Sequence, residues 1–284
     1  MESVETKPPH SGIKKGLYVI PTLFTAANIA MGFLAMLSAI RGYQAVALDA
    51  NLAAHYFDVG AIAIGFAILF DTLDGRVARM TRTATEIGVQ FDSLADVLTF
   101  GIAPTALVYA WAIGGVFEEN SPGYGLGVFL LFAYLMCGTF RLARFNLQAT
   151  RPRVLIEGTP KVDKKNFVGL PIPPAAAVIA SIIHFAPKPL ITYGEATGQY
   201  YTYALLALIA VLGILMVSTI RYSSFKSAGT GRSNFYLVLF IAALGMTIWL
   251  YSRYALLAIS AIYVSHGLVL WVFRSIIAKP KPAD

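Results

Sequence analysis

The sequence predicts an all-α fold, a polytopic membrane bundle of about eight transmembrane helices, and three observations carry that prediction. Of 284 residues, 57% are hydrophobic and only 13% are charged, whereas a soluble domain carries about a quarter charged residues. Mean hydropathy is +0.66, and the apolar residues gather in runs near the ~20 residues that a helix needs to cross a bilayer. Lysine and arginine fall between those runs with a strong bias to alternate loops, which is how charge sets membrane orientation.

Residues 1–16, MESVETKPPHSGIKKG, are polar and hold tandem prolines. They read as a cytoplasmic tail and not as a cleavable leader, because the run that follows is too long for an h-region and no small-residue cleavage site clearly follows it. The expected spans are 17–40, 56–80, 88–113, 125–145, 172–185, 200–220, 234–251 and 254–276. The first carries Thr25 and Asn28 within an apolar run. The second and third carry carboxylates at the ends that face each other. The fourth ends in Arg141 and Arg144. The fifth is short unless the proline-rich stretch 169–174 gives it a bent approach, the sixth is plain, and a very tight loop separates the last two. The domain plan is therefore a tail (1–16), a catalytic helix bundle (17–226), two C-terminal helices (227–276) and a second tail (277–284).

With the N-terminus inside, 19 of the 22 lysines and arginines lie on the inner side, leaving Arg41, Lys188 and Arg253 outside. Both termini are then cytoplasmic. The net charge of +7 would suggest nucleic acid in a soluble protein. Here it reads as basic loops against anionic headgroups, and no nucleic-acid partner is expected. The single cysteine, Cys137, excludes internal disulfides and a four-cysteine metal site. His10, His55, His184 and His266 are scattered singly, with no triad or metal spacing among them.

The chemistry concentrates in residues 71–101, DTLDGRVARMTRTATEIGVQFDSLADVLTFG. Asp71 and Asp74 are three apart, and Asp92 and Asp96 four apart, so each pair shares one helix face. In an antiparallel hairpin the two pairs can face each other. Carboxylates at membrane depth are costly and point to function, and four that converge need protons or cations between them. Two hard divalent cations held by oxygen ligands answer that need and suit phosphoryl chemistry. Gly75, Ala78 and Gly88 remove side chains where a helix must approach a ligand or another helix closely. Arg79, one turn past Gly75, is placed to meet a phosphate or to complete an ion pair, whereas Arg82 and Glu86 read as ordinary interfacial charges. A salt-bridged structural hairpin and an ion- or proton-translocating site are the competing readings of the charge alone. Transport sites lie nearer the midplane than these acids do.

The spacing Asp71-x2-Asp74-Gly75-x2-Ala78-Arg79-x8-Gly88-x3-Asp92-x3-Asp96 places eight fixed residues in a 26-residue window, and it resembles the signature of the CDP-alcohol phosphotransferases. PTLFTAANIAMGF (21–33), SLADVLTFGIAP (93–104), RLARFN (141–146), FVGLPIPPAA (167–176) and LMVSTIRYSSFK (215–226) further resemble segments of the membrane-embedded bacterial phosphatidylserine synthases. The resemblance implies transfer of a phosphatidyl group from CDP-diacylglycerol to the hydroxyl of L-serine, giving phosphatidylserine and CMP, by direct displacement. It implies that Asp71, Asp74, Asp92 and Asp96 hold two divalent cations, Mg2+ or Mn2+, and that Asp96 is also the general base. Gly75 and Ala78 would line the cytidine pocket, and a homodimer is implied as well.

Thr25 and Asn28, three apart with Gly32 four further on, could bond the donor's phosphates or sugar, or bond a neighbouring helix. Serine's carboxylate calls for an inner-face cation, for which Arg144 and Arg141 are the leading candidates, with Lys226 or Arg221 in support; positive-inside anchoring is the plainer role for all four. The donor's acyl chains require a pocket that opens laterally to membrane lipids. The expected location is a prokaryotic plasma membrane, with the site at its cytoplasmic face. The alternatives are the same chemistry with glycerol-3-phosphate, an inositol phosphate or choline as acceptor, an ion-coupled transporter, and a non-catalytic structural protein.

Overall fold

A computed structural model describes residues 13–81, 86–150, 166–223 and 234–277, and it is almost entirely helical. Helix α1 (Ile13–Ala45) turns tightly into α2 (Ala50–Thr81). The turn ends at Asp49, whose carboxylate accepts the Asn51 N–H at 2.8 Å and so caps the first orphan donors of α2. The third rod is composite. It runs from α3 (Glu86–Asp96) through a π-helical segment (Val97–Ile102), α4 (Ala103–Val108) and a second π-helical segment (Tyr109–Ile113). Helix α5 (Pro122–Thr150) begins as its sequence dictates, with Pro122 at the first position and the Ser121 hydroxyl accepting the Tyr124 N–H at 3.2 Å.

The fifth span departs from a plain helix. Strand β1 (Asn166–Val168) pairs antiparallel with β2 (Arg221–Ser223), Phe167 opposite Tyr222. This three-residue ladder is not foreseen in the sequence and leaves the all-α class intact. Gly169 then takes φ +84°, and its N–H and that of Leu170 donate to the Ile220 and Leu215 carbonyls at 2.8 and 2.9 Å. Pro171 is extended, and α6 (Ile172–Phe185) starts beyond it. The expected bent approach is thus a glycine-led loop laced to the end of α7. At 14 residues, α6 covers only about 21 Å at 1.5 Å per residue.

Helix α7 (Glu195–Val217) and α8 (Asn234–Ile277) complete the chain. In α8 the backbone leaves helical geometry at Tyr251, with φ −134° and ψ 45°. The tight loop expected after 251 is therefore a kink within one helical path. Among the described residues, five helical stretches are long and apolar enough to cross a membrane: Thr22–Ala45, Ala50–Val77, Ile87–Ile113, Pro122–Leu147 and Glu195–Val217.

Small residues let these helices touch. Ala35, Ala39, Ala53, Ala61, Ala63 and Ala67 are buried where α1, α2 and α4 meet, while Phe33, Phe66, Phe129, Phe132 and Ile214 point outward. Apolar outside and small inside is the pattern of helices packed in lipid. A close approach lies near the acids, where a methyl group on Gly32 would sit 2.5 Å from Thr99 Oγ1 and 2.9 Å from Thr99 Cα. Gly32→Ala is therefore expected to destabilise the protein by roughly 1–3 kcal/mol through overpacking. A melting curve in detergent measures this, and an unchanged Tm would mean that α1 and the third rod do not meet there.

Candidate metal and substrate site

The hairpin between α2 and α3 brings the predicted aspartates together. Oxygens of Asp71, Asp92 and Asp96 all lie within 4.8 Å of one another. Asp74 stands one turn along α2 and is buried, and the Thr25 hydroxyl of α1 donates to its carboxylate. All four carboxylates act on one another electrostatically. In apolar surroundings such charge is tolerated only with positive partners.

Among the described residues, one protein cation stands close enough to act. The charge of Arg141 on α5 is felt at both Asp71 and Asp96, and the arginine is buried with its Nε lacking a hydrogen-bond partner. Two more buried groups are left open around it. Asp96 Oδ1 has no partner, and neither Oδ1 nor Nδ2 of Asn28 has one, although Asn28 is only 1% exposed. Buried polar atoms are nearly always bonded, so four left open on three side chains, one each on α1, α3 and α5, mark a place shaped for a ligand. The donor set is made of hard anionic oxygens, which suits Mg2+ or Mn2+ and does not suit soft metals. Asp71, Asp92 and Asp96 fit such ions by residue type and convergence, and Asp74, one turn away, fits by residue type.

The remaining predicted residues divide. Gly75 is half-buried beside Asp74, and Gly88 is exposed on α3. The side chains of Ala78 and Arg79 lie outside the described residues, as does Lys226. Arg144 is drawn elsewhere: its Nη1 donates to the Val217 carbonyl at 3.5 Å, where the last carbonyls of α7 need donors. Of the paired arginines, Arg141 is the one beside the carboxylates.

Three further residues build the site without having been singled out. Thr99, one turn past Asp96, donates to the Asn28 backbone carbonyl at 3.3 Å and holds α1 against the π-helical segment; its spacing from Asp96 was a usable signal. Asn146 Nδ2 donates to Ser93 Oγ at 2.9 Å and ties α5 to α3 beside Asp92. Tyr263 of α8 interacts electrostatically with Arg141, so the last helix reaches the site; nothing in the local sequence announces it.

Comparison with known proteins adds an independent line. The model of the family described as CDP-alcohol phosphatidyltransferase matches residues 18–220. A Helicobacter pylori protein named CDP-diacylglycerol–serine O-phosphatidyltransferase is 32% identical over 257 residues, covering 90% of this chain and 92% of the relative. A Methanocaldococcus jannaschii protein of the same name is 28% identical over 240 residues, covering 84% and 92%. A Methanothermobacter thermautotrophicus protein named archaetidylserine synthase is 33% identical over 204 residues, covering 70% and 72%.

Proposed function

The chain belongs to the CDP-alcohol phosphatidyltransferase family, and from that premise we propose that it transfers the phosphatidyl group of CDP-diacylglycerol to the hydroxyl of L-serine, yielding phosphatidylserine and CMP. The observation that carries the reading is the convergence of Asp71, Asp92 and Asp96 within 4.8 Å, inside a family-matched segment of an apolar helix bundle. The names of the relatives support the acceptor. Two name a serine transferase using CDP-diacylglycerol and one names archaetidylserine, so the lipid part varies while serine stays.

In this reading Asp71, Asp74, Asp92 and Asp96 hold two divalent cations, which when bound neutralise the diphosphate and its leaving group. The protein supplies position and proton transfer. Asp96 accepts the proton of the serine hydroxyl as that oxygen bonds to the lipid-side phosphorus. The bond from this phosphorus to the oxygen bridging it to CMP breaks, and CMP departs with the electron pair. A carboxylate one turn from a metal ligand is suitably placed as base. Asn28 and Arg141, buried with open hydrogen-bonding capacity, hold donor oxygens and the serine carboxylate respectively. Thr25 orients Asp74. Gly75, Ala78, Arg79 and Gly88 complete the donor pocket, with Arg144 as the outer acceptor-side cation. The proposal includes eight spans, cytoplasmic termini, the site at the cytoplasmic face of a prokaryotic plasma membrane, and a homodimer. The lysine and arginine asymmetry supports the orientation.

The test is CMP release from CDP-diacylglycerol by the purified protein, with L-serine, glycerol-3-phosphate, inositol phosphate or choline offered in turn. Serine alone is expected to support turnover. A chelator should abolish turnover, and Mg2+ or Mn2+ should restore it. Release that required glycerol-3-phosphate and ignored serine would overturn the acceptor assignment, and full activity under chelation would overturn the metal assignment.

A further inference from the structure

The other end of the bundle holds a second polar centre. Asp58 lies thirteen residues before Asp71 on α2, which at 1.5 Å per residue puts it about 20 Å away along the helix. His184, at the end of α6, is buried, with Nδ1 2.5 Å from Asp58 Oδ1 and Nε2 3.0 Å from Ser252 Oγ. The carboxylate can only accept, so Nδ1 carries the proton. Three helices, α2, α6 and α8, are thereby locked together one residue past the Tyr251 kink. Beside this lock opens a cavity of about 670 Å³ whose walls include His55, Asp58, Phe185, Lys188, Tyr193 and Arg253.

Two facts suggest what it holds. Lys188 and Arg253 are two of the three lysines and arginines that the charge pattern assigns to this side of the protein, and both line this one cavity. Among the described residues the only ion pair is that of His184 with Asp58, so neither cation has a protein carboxylate of its own. The walls are also braced by their neighbours. The Trp111 indole N–H donates to the Lys188 carbonyl at 2.8 Å, and Phe185 packs edge-on to Tyr254 with centroids 5.5 Å apart.

We propose that this cavity is a second ligand site, one that takes the phosphodiester headgroup of a membrane lipid in the leaflet opposite the aspartates. The guanidinium and ammonium supply donors for the phosphate oxygens. Phe185 and Tyr193 offer an apolar wall to the glycerol and the first methylenes, as interfacial aromatics do. The two cations face a single wall carboxylate, Asp58, which His184 already engages, and so favour an anionic group such as a phosphodiester. The site is independent of the transfer reaction proposed above.

Native mass spectrometry of the full-length, delipidated protein tests this, with dioleoyl phosphatidylglycerol, dioleoylglycerol and inorganic phosphate as probes. The phospholipid should be retained and the diacylglycerol should not. Lys188→Gln combined with Arg253→Gln should weaken retention about tenfold, the loss of roughly 1.4 kcal/mol, while elution profile and Tm stay as in the wild type. Should the double variant fail to fold, each single change is expected to weaken retention at least threefold. Equal retention of diacylglycerol, or undiminished retention in the folded variants, overturns the site. Displacement of the lipid by an equal concentration of inorganic phosphate overturns the lipid assignment in favour of a free anion.

Discussion

Under the proposed reaction, Asp96→Asn should lower CMP release by at least about 10³-fold, because it would remove the proposed general base, a role usually worth 10²–10⁴, together with one proposed ligand of the cation site. The same substitution should leave the metal-free protein as stable as the wild type or more so. Asp96 is buried among three other carboxylates, with one oxygen unbonded, and an uncompensated buried charge typically costs 1–3 kcal/mol or more. An amide of the same shape relieves that repulsion. Melting curves in chelator and turnover assays in Mg2+ should therefore move in opposite directions. A structural ion-pair hairpin predicts the reverse, since removing one partner of a buried pair destabilises strongly. Loss of stability in chelator, or retained turnover, would defeat the role given to Asp96.

Among the described glycines, Gly169→Ala should be the most damaging single-methyl change. Gly169 lies at φ +84°, and a Cβ there would stand 2.3 Å from the Met216 backbone carbonyl oxygen. A positive φ costs an alanine about 1–3 kcal/mol, and backbone atoms cannot give way as a side-chain tip can, adding roughly 1–3 kcal/mol of overpacking. Gly194 is the internal control: its φ is +91° but nothing lies within 4 Å of its added Cβ. Gly194→Ala should therefore show only the first cost. Equal Tm shifts for the two variants would mean that the loop does not bear on the end of α7. Because Ile172, just past this loop, packs on Gly101 and Gly138, the damage should reach the third rod and the helix that carries Arg141.

Much of this architecture was legible in residue order. Helices 20 residues long with apolar character are a strong periodic signal, and Asp71, Asp74, Asp92 and Asp96 at helical spacing could only meet across a hairpin. What could not be read has identifiable causes. Arg141 and Arg144 sit three apart on one helix and are chemically alike. What separates them is the C-terminus of α7, whose Val217 carbonyl engages Arg144, and that contact spans 73 residues. Tyr263 reaches Arg141 only through the packing of α8 against α6. His184 looked isolated because Asp58 and Ser252 are 126 and 68 residues away. The π-helical segments leave the apolar pattern unaltered, so no periodicity betrays them.

The first of those segments, Val97–Ile102, acts as a phase adjuster. Each residue advances an α-helix by about 100°, so one extra residue in a wide turn lets the two halves of the rod keep independent azimuths. The half ahead of it is aimed by its carboxylates. The half behind it is aimed by the fit of Ala103, Leu107 and Val108 in the interior. Lipid-facing and interior positions beyond Ile102 can therefore drift in sequence without turning Asp92 and Asp96 away from Asp71. Loss of a single residue within the segment would rotate the acids off their common centre while every helix stayed intact.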